Sequence, residues 1–190
     1  RDFVQKYVNI LTMNEEEALA ITGIVDPLQA ADKCLDWVDL VICTAGKDGL
    51  YMAGYVDEKF KRESEYPLVS DFNRYEYSRP MRLQDCSEPM RIYTHSQPYM
   101  GGPESIKNTN GAGDAALAAI LHDLSANVYH KNTVVNSSKH KQTALTYSSL
   151  SQMSKYANRA SYEVLVQHSP RLSRGLPERE DSLDQAYWAQ

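Results

Sequence analysis

The sequence has little cysteine and no long hydrophobic run. Its 190 residues include three cysteines, an odd number without a C-x-x-C pair, which argues against a disulfide framework and indicates reduced thiols in a cytoplasmic protein. The longest apolar run, residues 115–121, is far shorter than the roughly 20 residues that a membrane-spanning helix needs. The five histidines show no metal-ligand spacing, so no zinc site is expected.

The sequence also lacks an excess of positive charge. Its formal net charge of −5 argues against a general nucleic-acid binder, because affinity for phosphate backbones comes largely from clustered Lys and Arg. Hydrophobic residues make up 42% and charged residues 24%, as in an ordinary globular protein. The length indicates a single domain, 1–190, that can bury one sizeable core.

The first third of the sequence alternates strand and helix patterns. Asn14 is expected to cap a helix that ends at Gly23, and Asp26 is expected to cap a second helix. The predicted strands span residues 7–13, 40–44 and 50–55. The middle strand is continuously apolar, which is typical of a sheet covered on both faces. Strand, helix and strand in this order predict an α/β fold with parallel strands.

The rest of the chain is less regular. Residues 56–107 are rich in Tyr, Arg, Pro, Ser and Glu with little periodicity, which predicts an inserted functional segment whose arginines lie mostly on the surface. Residues 111–125 are apolar nearly all round, so a buried helix is expected there. Further helices are predicted at 136–153 and 154–168, followed by a tail that lies over the surface from residue 169.

One loop before the buried helix has the composition of an anion site. It reads Asn110-Gly111-Ala112-Gly113-Asp114, and the small residues leave backbone N–H groups uncovered at a helix start. Together with the helix dipole, these amides favour a phosphate. A carboxylate beside a phosphate site makes sense if Asp114 takes the proton of an attacking hydroxyl. The alternative is a plain Asn-Gly turn whose small residues only permit close packing.

Two further turns precede this loop, and each follows a predicted strand. Residues 14–17 read Asn-Glu-Glu-Glu, and residues 44–49 read Thr-Ala-Gly-Lys-Asp-Gly. Taken alone, Asn14 with Glu17 is close to a helix-capping box, and Gly46 with Gly49 would merely make a turn. The occurrence of all three turns in a fixed order favours a shared phosphate-handling role.

These three motifs resemble those of the ribokinase-like family of sugar and nucleoside kinases, over residues 7–54 and 108–168. The resemblance implies a Rossmann-like three-layer α/β/α fold with a mostly parallel sheet, of which this chain is the C-terminal, nucleotide-binding portion with an insertion at about 56–107. It implies Asp114 as catalytic base and Gly111, Ala112 and Gly113 as anion hole. ATP-binding residues implied by the family pattern are Thr44, Gly46, Gly49, Asn110 and Asn158. Asn14 and Glu17 would help to place Mg²⁺ through water. Taken alone, Asn158 is best interpreted as a surface helix residue.

The sequence departs from the family pattern at one position. Family members usually carry an acid where this chain has Asn108, and that acid commonly helps to bind a monovalent cation such as K⁺. Asparagine keeps a carbonyl oxygen but carries no charge. ATP and Mg²⁺ therefore remain the implied cofactors, whereas the expectation of K⁺ is weakened.

Within the family, the long insertion and residues 173–183 resemble bacterial purine-nucleoside kinases. The implied reaction is phosphorylation by ATP of the 5′-hydroxyl of inosine or guanosine, a step of purine salvage. A kinase for a sugar or another nucleoside, a non-catalytic nucleotide-binding module, and a structural core fragment remain alternatives. The family's substrate half lies upstream of the first strand, so the chain alone is expected to be inactive. Its expected partners are that N-terminal half, the nucleoside and ATP, with a second copy of the chain left open; neither nucleic acid nor a membrane is expected.

Overall fold

In the described part of the chain, four strands form one sheet with helices on both faces. The computed structural model of the chain describes residues 1–64, 70–98, 103–133 and 143–177. The strands are β1 Ile10–Asn14, β2 Leu40–Thr44, β3 Leu50–Asp57 and β4 Pro89–Ser96, and they lie in that order across the sheet. The helices are α1 Asp2–Tyr7, α2 Glu15–Thr22, α3 Pro27–Cys34, α4 Ala112–Thr133 and α5 Leu150–Leu165. The predicted α/β fold is confirmed.

The sheet is mixed rather than mostly parallel. β1 and β2 are parallel and are joined through α2 and α3, as the strand–helix–strand pattern predicted. β3 is antiparallel to β2, and β4 is antiparallel to β3. Only five residues separate β2 from β3, too few for the crossover that a parallel neighbour needs. The expectation of a mostly parallel sheet is therefore wrong for the described part of the chain.

Alternate residues of the strands pack into two hydrophobic cores, one on each face of the sheet. Leu40, Ile42 and Met52 face α4 and α5, whereas Val41 and Cys43 face α2 and α3. All five are at most 1% exposed. β2 is thus covered on both faces, which confirms the prediction made from its continuous apolar run.

The three cysteines of the sequence are free thiols. Cys34 and Cys43 are buried in the core beneath α3, and Cys86 is half-buried. Burial raises the pKa of Cys34 to about 11 and that of Cys43 to about 12. Since the thiolate is the reactive form, both thiols are structural rather than nucleophilic.

The first predicted strand is wrong at its start. Residues 2–7 form helix α1, and β1 begins only at Ile10. Phe3 and Tyr7 lie one helical turn apart with ring centroids 5.1 Å from each other, an i,i+4 contact that favours a helix. The caps that follow are confirmed, because Asn14 caps α2, Gly23 ends it in the left-handed conformation, and Asp26 caps α3.

The 56–107 segment contains a strand that the sequence pattern hid. β4 runs along all of β3, so this segment completes the sheet rather than lacking elements. Thr94 and Ser96 are buried on the face towards α5, where their hydroxyls bond to Glu76 and Ser154. These polar residues on the buried face mask the alternation expected of a strand. Tyr66 and Tyr99 of this segment lie outside the described residues.

An arginine expected on the surface is also buried. Arg79 is 5% exposed and donates to the carbonyl oxygen of Thr146 and to Oδ1 of Asn127. Asn127 in turn donates to the carbonyl oxygens of Ala144 and Leu145. This buried polar cluster connects the 56–107 segment to α4 and to the start of α5.

The last helices differ from their predicted bounds. α4 extends to Thr133, and it is not buried all round, since Leu121, Val128 and Tyr129 are each more than half exposed. The boundary predicted between 153 and 154 lies inside α5, which begins at Leu150 after a capping box built by Ser149 and Gln152. Residues 143–149 are not helical, and residues 134–142 lie outside the described ranges.

The described part of the tail packs onto the fold. Leu172 and Leu176 contact the core between α4, α5 and the sheet, and the Tyr156 hydroxyl donates to the carbonyl oxygen of Pro177 at 2.8 Å. None of the described helices is both long and apolar enough to cross a membrane.

Candidate active site

The structure brings the first two motifs together at one edge of the sheet. Asn14 and Thr44 are paired residues at the carboxyl ends of the parallel strands β1 and β2. The turn after Asn14 and the turn after Thr44 therefore emerge side by side. This is the edge of an open α/β sheet where ligands commonly bind.

Asn14 and Glu17 form a reciprocal capping box. The Asn14 side chain accepts a hydrogen bond from the amide of Glu17, and the Glu17 carboxylate accepts one from the amide of Asn14, both at 2.8 Å. The capping alternative thus accounts for the pair. Both residues are exposed, and their role in placing Mg²⁺ stays a prediction.

The turn between β2 and β3 requires its second glycine. Gly46 to Asp48 form a single 3₁₀ turn, closed by a bond of 2.7 Å from the amide of Asp48 to the Ala45 carbonyl oxygen. Gly49 has φ of +91°, and a Cβ there would lie 2.1 Å from the carbonyl oxygen of Ser96. The turn therefore rests directly on the end of β4.

The loop before α4 presents the amides that an anion site needs. The first helical bond runs from the Ala115 amide to the Gly111 carbonyl oxygen at 2.9 Å. The next amides towards the N-terminus, those of Ala112, Gly113 and Asp114, therefore have no intrahelical acceptor. A Cβ on Gly113 would meet no described residue within 4 Å, so packing in these ranges does not demand glycine there. An uncovered backbone at this point suits close approach by a ligand.

Gly111 has a different role from Gly113. It has φ of +82°, and a Cβ there would lie 2.1 Å from the Pro170 carbonyl oxygen of the tail. Asn108 strengthens the same contact, since its Nδ2 donates to the His168 carbonyl oxygen at 3.2 Å while its Oδ1 accepts the Asn110 amide at 3.0 Å. The tail thus contacts the loop through Pro170 and His168.

Asp114 lies exposed in the first turn of α4. Within the described ranges, its carboxylate has no hydrogen-bond or ion-pair partner, unlike the carboxylates of Asp123 and Asp57, which accept backbone amides. An acid in this position is favoured by the helix dipole. It is also open to a substrate, and its assignment as catalytic base stays a prediction.

Helix α5 connects the loop before α4 to the turn after β2. The Ser161 hydroxyl donates to the Ala112 carbonyl oxygen at 2.8 Å. One helical turn earlier, Asn158 Nδ2 donates to the carbonyl oxygens of Ser96 and Gln97 at 3.1 and 2.8 Å, beside Gly49. The same stretch of α5 therefore contacts the loop before α4 and the end of β4 on which the Gly49 turn packs. ATP binding by Asn158 stays a prediction.

Sequence reasoning missed two residues of this site. Ser161 follows Asn158 by three positions and so shares its helix face, a spacing that could have identified it. His95 lies in the strand that was not predicted, and no sequence signal pointed to the contact of its Nε2 with the Asp48 carbonyl oxygen in the turn after β2. No group of three or more described His, Cys, Asp or Glu residues is arranged to hold a metal ion directly.

Comparisons with known proteins find similarity to kinases. No protein-family model matches the chain. A guanosine-inosine kinase from Escherichia coli K12 is 63% identical over 99% of the chain, which spans 44% of that relative's length. The similar solved structures include a probable sugar kinase from Rhizobium etli, an adenosine kinase from Sinorhizobium meliloti and a ribokinase from Thermotoga maritima, with TM-scores of 0.53, 0.51 and 0.51.

The structural matches concern the fold alone. They are 17%, 18% and 17% identical, covering 97%, 97% and 100% of this chain and 38%, 38% and 45% of the matched chains. They support the ribokinase-like α/β fold, whereas the sequence match supports the likeness to a guanosine-inosine kinase. The chain is thus similar over nearly its whole length to part of a guanosine-inosine kinase, and its predicted resemblance to the ribokinase-like kinases is confirmed.

Proposed function

We propose that the chain is the nucleotide-binding and phosphoryl-transfer portion of a purine nucleoside kinase. The reaction is transfer of the terminal phosphoryl group of ATP to the 5′-hydroxyl of inosine or guanosine, giving the monophosphate and ADP. The observation that carries the proposal is the start of α4, where the carboxylate of Asp114 has no partner among the described residues and the neighbouring amides have no intrahelical acceptor. The turns after β1 and β2 lie side by side, and α5 contacts both the loop before α4 and the strand end on which the second of these turns packs. The 63% identity to a guanosine-inosine kinase supports the purine nucleoside as substrate.

Asp114 and the start of α4 divide the chemistry between them. The Asp114 carboxylate accepts the proton of the attacking hydroxyl. The hydroxyl oxygen then bonds to phosphorus while the bond between phosphorus and the ADP oxygen breaks. The amides from Gly111 to Gly113 donate to the phosphoryl oxygens, where negative charge accumulates. These amides are fixed by the helix and the tail before the substrate arrives, so little reorganisation is needed.

The acidic start of α2 is compatible with a divalent metal held through water. Glu17 uses one carboxylate oxygen in its capping bond, which leaves the other for a water ligand, and Glu15 and Glu16 add exposed acids in the same turn. Mg²⁺ commonly keeps several waters when it binds phosphates, and it would neutralise phosphate charge. Monovalent-cation activation is a weaker proposal, because both polar atoms of the Asn108 amide are engaged within the fold.

The substrate-binding groups are proposed to lie in a longer protein. The chain spans less than half of the relative that it resembles. We therefore propose that the upstream portion supplies the nucleoside site. A cytoplasmic location is proposed on the same likeness.

Two measurements test the proposal. Calorimetric titration of the 190-residue chain with a non-hydrolysable ATP analogue and Mg²⁺ should give heat of binding if the nucleotide site is preformed. The longer protein should phosphorylate inosine and guanosine in preference to adenosine, ribose and fructose. A preference for a free sugar would replace the nucleoside with the sugar alternative, and analogue binding without any phosphorylation would favour the non-catalytic module.

A further inference from the structure

The glycine-rich turn after β2 is held by a histidine on β4. His95 Nε2 lies 2.6 Å from the Asp48 carbonyl oxygen, and because a carbonyl can only accept, Nε2 carries the proton. The imidazole stacks on Tyr51, its cross-strand partner, with ring centroids 4.3 Å apart and planes 17° from parallel. The stack orients the ring, and the hydrogen bond fixes the turn.

The end of β4 is held from both faces of the sheet. On the α5 face, Asn158 bonds to the carbonyl oxygens of Ser96 and Gln97. On the opposite face, the His95 side chain reaches the turn, whose Gly49 packs against Ser96. A shift of this strand end would therefore move the turn.

Such a turn depends on outside contacts. Gly46 and Gly49 both have positive φ, and glycine loses more conformational freedom than other residues when it is fixed. Apart from its own bonds, the turn is braced in the described structure by the contact with Ser96 and by the bond from His95. A single hydrogen bond can therefore shift the population of the binding conformation.

We propose that His95 is a positioning residue for the nucleotide: through its hydrogen bond to the Asp48 carbonyl it fixes the turn at residues 44–49 in the conformation that binds ATP. The inference rests on the proposed function, since it takes this turn as part of the nucleotide site. His95 acts through the backbone of the turn and has no part in proton transfer.

A pair of substitutions in the longer protein separates the hydrogen bond from the stacking. His95→Phe keeps an aromatic ring opposite Tyr51 but removes the donor, whereas His95→Gln keeps an N–H donor and removes the ring. We expect His95→Phe to raise KM for ATP and the calorimetric Kd of the ATP analogue by about threefold to tenfold, the equivalent of one net hydrogen bond. KM for the nucleoside and the thermal midpoint should stay unchanged, and His95→Gln should restore ATP binding to within about twofold.

Each other outcome overturns the inference. If His95→Phe leaves KM for ATP and Kd of the analogue unchanged, the hydrogen bond to the Asp48 carbonyl has no role in ATP binding. If His95→Gln weakens ATP binding as much as His95→Phe does, the effect belongs to the stacked ring. A parallel rise in both KM values, or a lowered thermal midpoint, would indicate general support of the fold. If the wild-type protein binds the analogue but phosphorylates no nucleoside, the proposed function fails while the calorimetric comparison still decides the role of His95; no analogue binding at all overturns both.

Discussion

The Ser161 hydroxyl donates a 2.8 Å hydrogen bond to the carbonyl oxygen of Ala112, the first residue of α4. It holds the helix start whose amides are proposed to donate hydrogen bonds to the oxygens of the transferred phosphoryl group. Because Asn158 bonds to the end of β4 one helical turn earlier, α5 sets the position of both phosphate-compatible turns. The geometry of the candidate site therefore depends on the packing of α5 and not on one loop alone.

The two glycines of the loop before α4 should respond differently to alanine. Gly113→Ala introduces a methyl group that meets no described neighbour and improves helix propensity, so stability should be unchanged or rise by about 0.5–1 kcal/mol. Turnover of the longer protein should nevertheless fall at least about tenfold, because the new Cβ stands where the phosphate is proposed to approach.

Gly111→Ala is the matched control for this pair. Its Cβ would collide with the Pro170 carbonyl oxygen at a positive φ, so the free energy of unfolding should fall together with activity. Urea unfolding and steady-state assays of both variants give the comparison. Full activity of Gly113→Ala would contradict an anion hole at this loop.

The buried cluster around Asn127 should dominate the stability of the α4 end that lies away from the site. Asn127→Leu removes one acceptor of the buried Arg79 guanidinium and two N–H donors to backbone carbonyls. We expect a loss of roughly 2–4 kcal/mol in the free energy of unfolding. Asn132→Leu, on the exposed surface of the same helix, should change it by less than about 0.5 kcal/mol. Equal effects of the two substitutions would rule out the cluster as a source of stability.

Stability should fall in acid through Asp57. This buried carboxylate accepts the backbone amides of Ser87, Lys59 and Glu88, and the bond from Ser87 is the main cause of its lowered pKa. A pKa below the unfolded value of about 3.9 gives stability that is present above that value and is lost as the pH falls through the folded pKa.

Asp57→Asn tests this pH dependence. The variant should be less stable than wild type at pH 7, and the difference should shrink below about pH 4. Chemical unfolding from pH 2 to pH 7 measures it, with the exposed Asp85→Asn as control. A difference that stays constant with pH would exclude ionised Asp57 as its cause.

Local chemistry explains what the sequence could predict. Asn14, Gly23 and Asp26 mark helix ends because their side chains or backbone preferences act within a few residues. The parallel pairing of β1 and β2 follows from the helices between them. The three motifs were likewise local patterns, and the approach of the first two at one edge follows once β1 and β2 are parallel.

The contacts that could not be predicted depend on distant parts of the chain. β4 buries Thr94 and Ser96, whose hydroxyls are satisfied by residues far away in sequence, so its alternation does not appear as a hydrophobic period. The same holds for Arg79. Composition predicted it on the surface, but it is buried and donates to Asn127 and Thr146. His95 and Ser161 belong to the site only because β4 and α5 pack where they do.

Asp114→Asn in the longer protein measures whether Asp114 accepts the proton of the nucleoside hydroxyl. Asparagine keeps the size of the side chain but cannot take the proton, so turnover on inosine or guanosine should fall by about 10² to 10⁴. The calorimetric Kd of the ATP analogue should remain within about threefold of wild type, and Glu163→Gln, an exposed acid on α5, should leave turnover unchanged. Turnover of Asp114→Asn near the wild-type value would contradict the account.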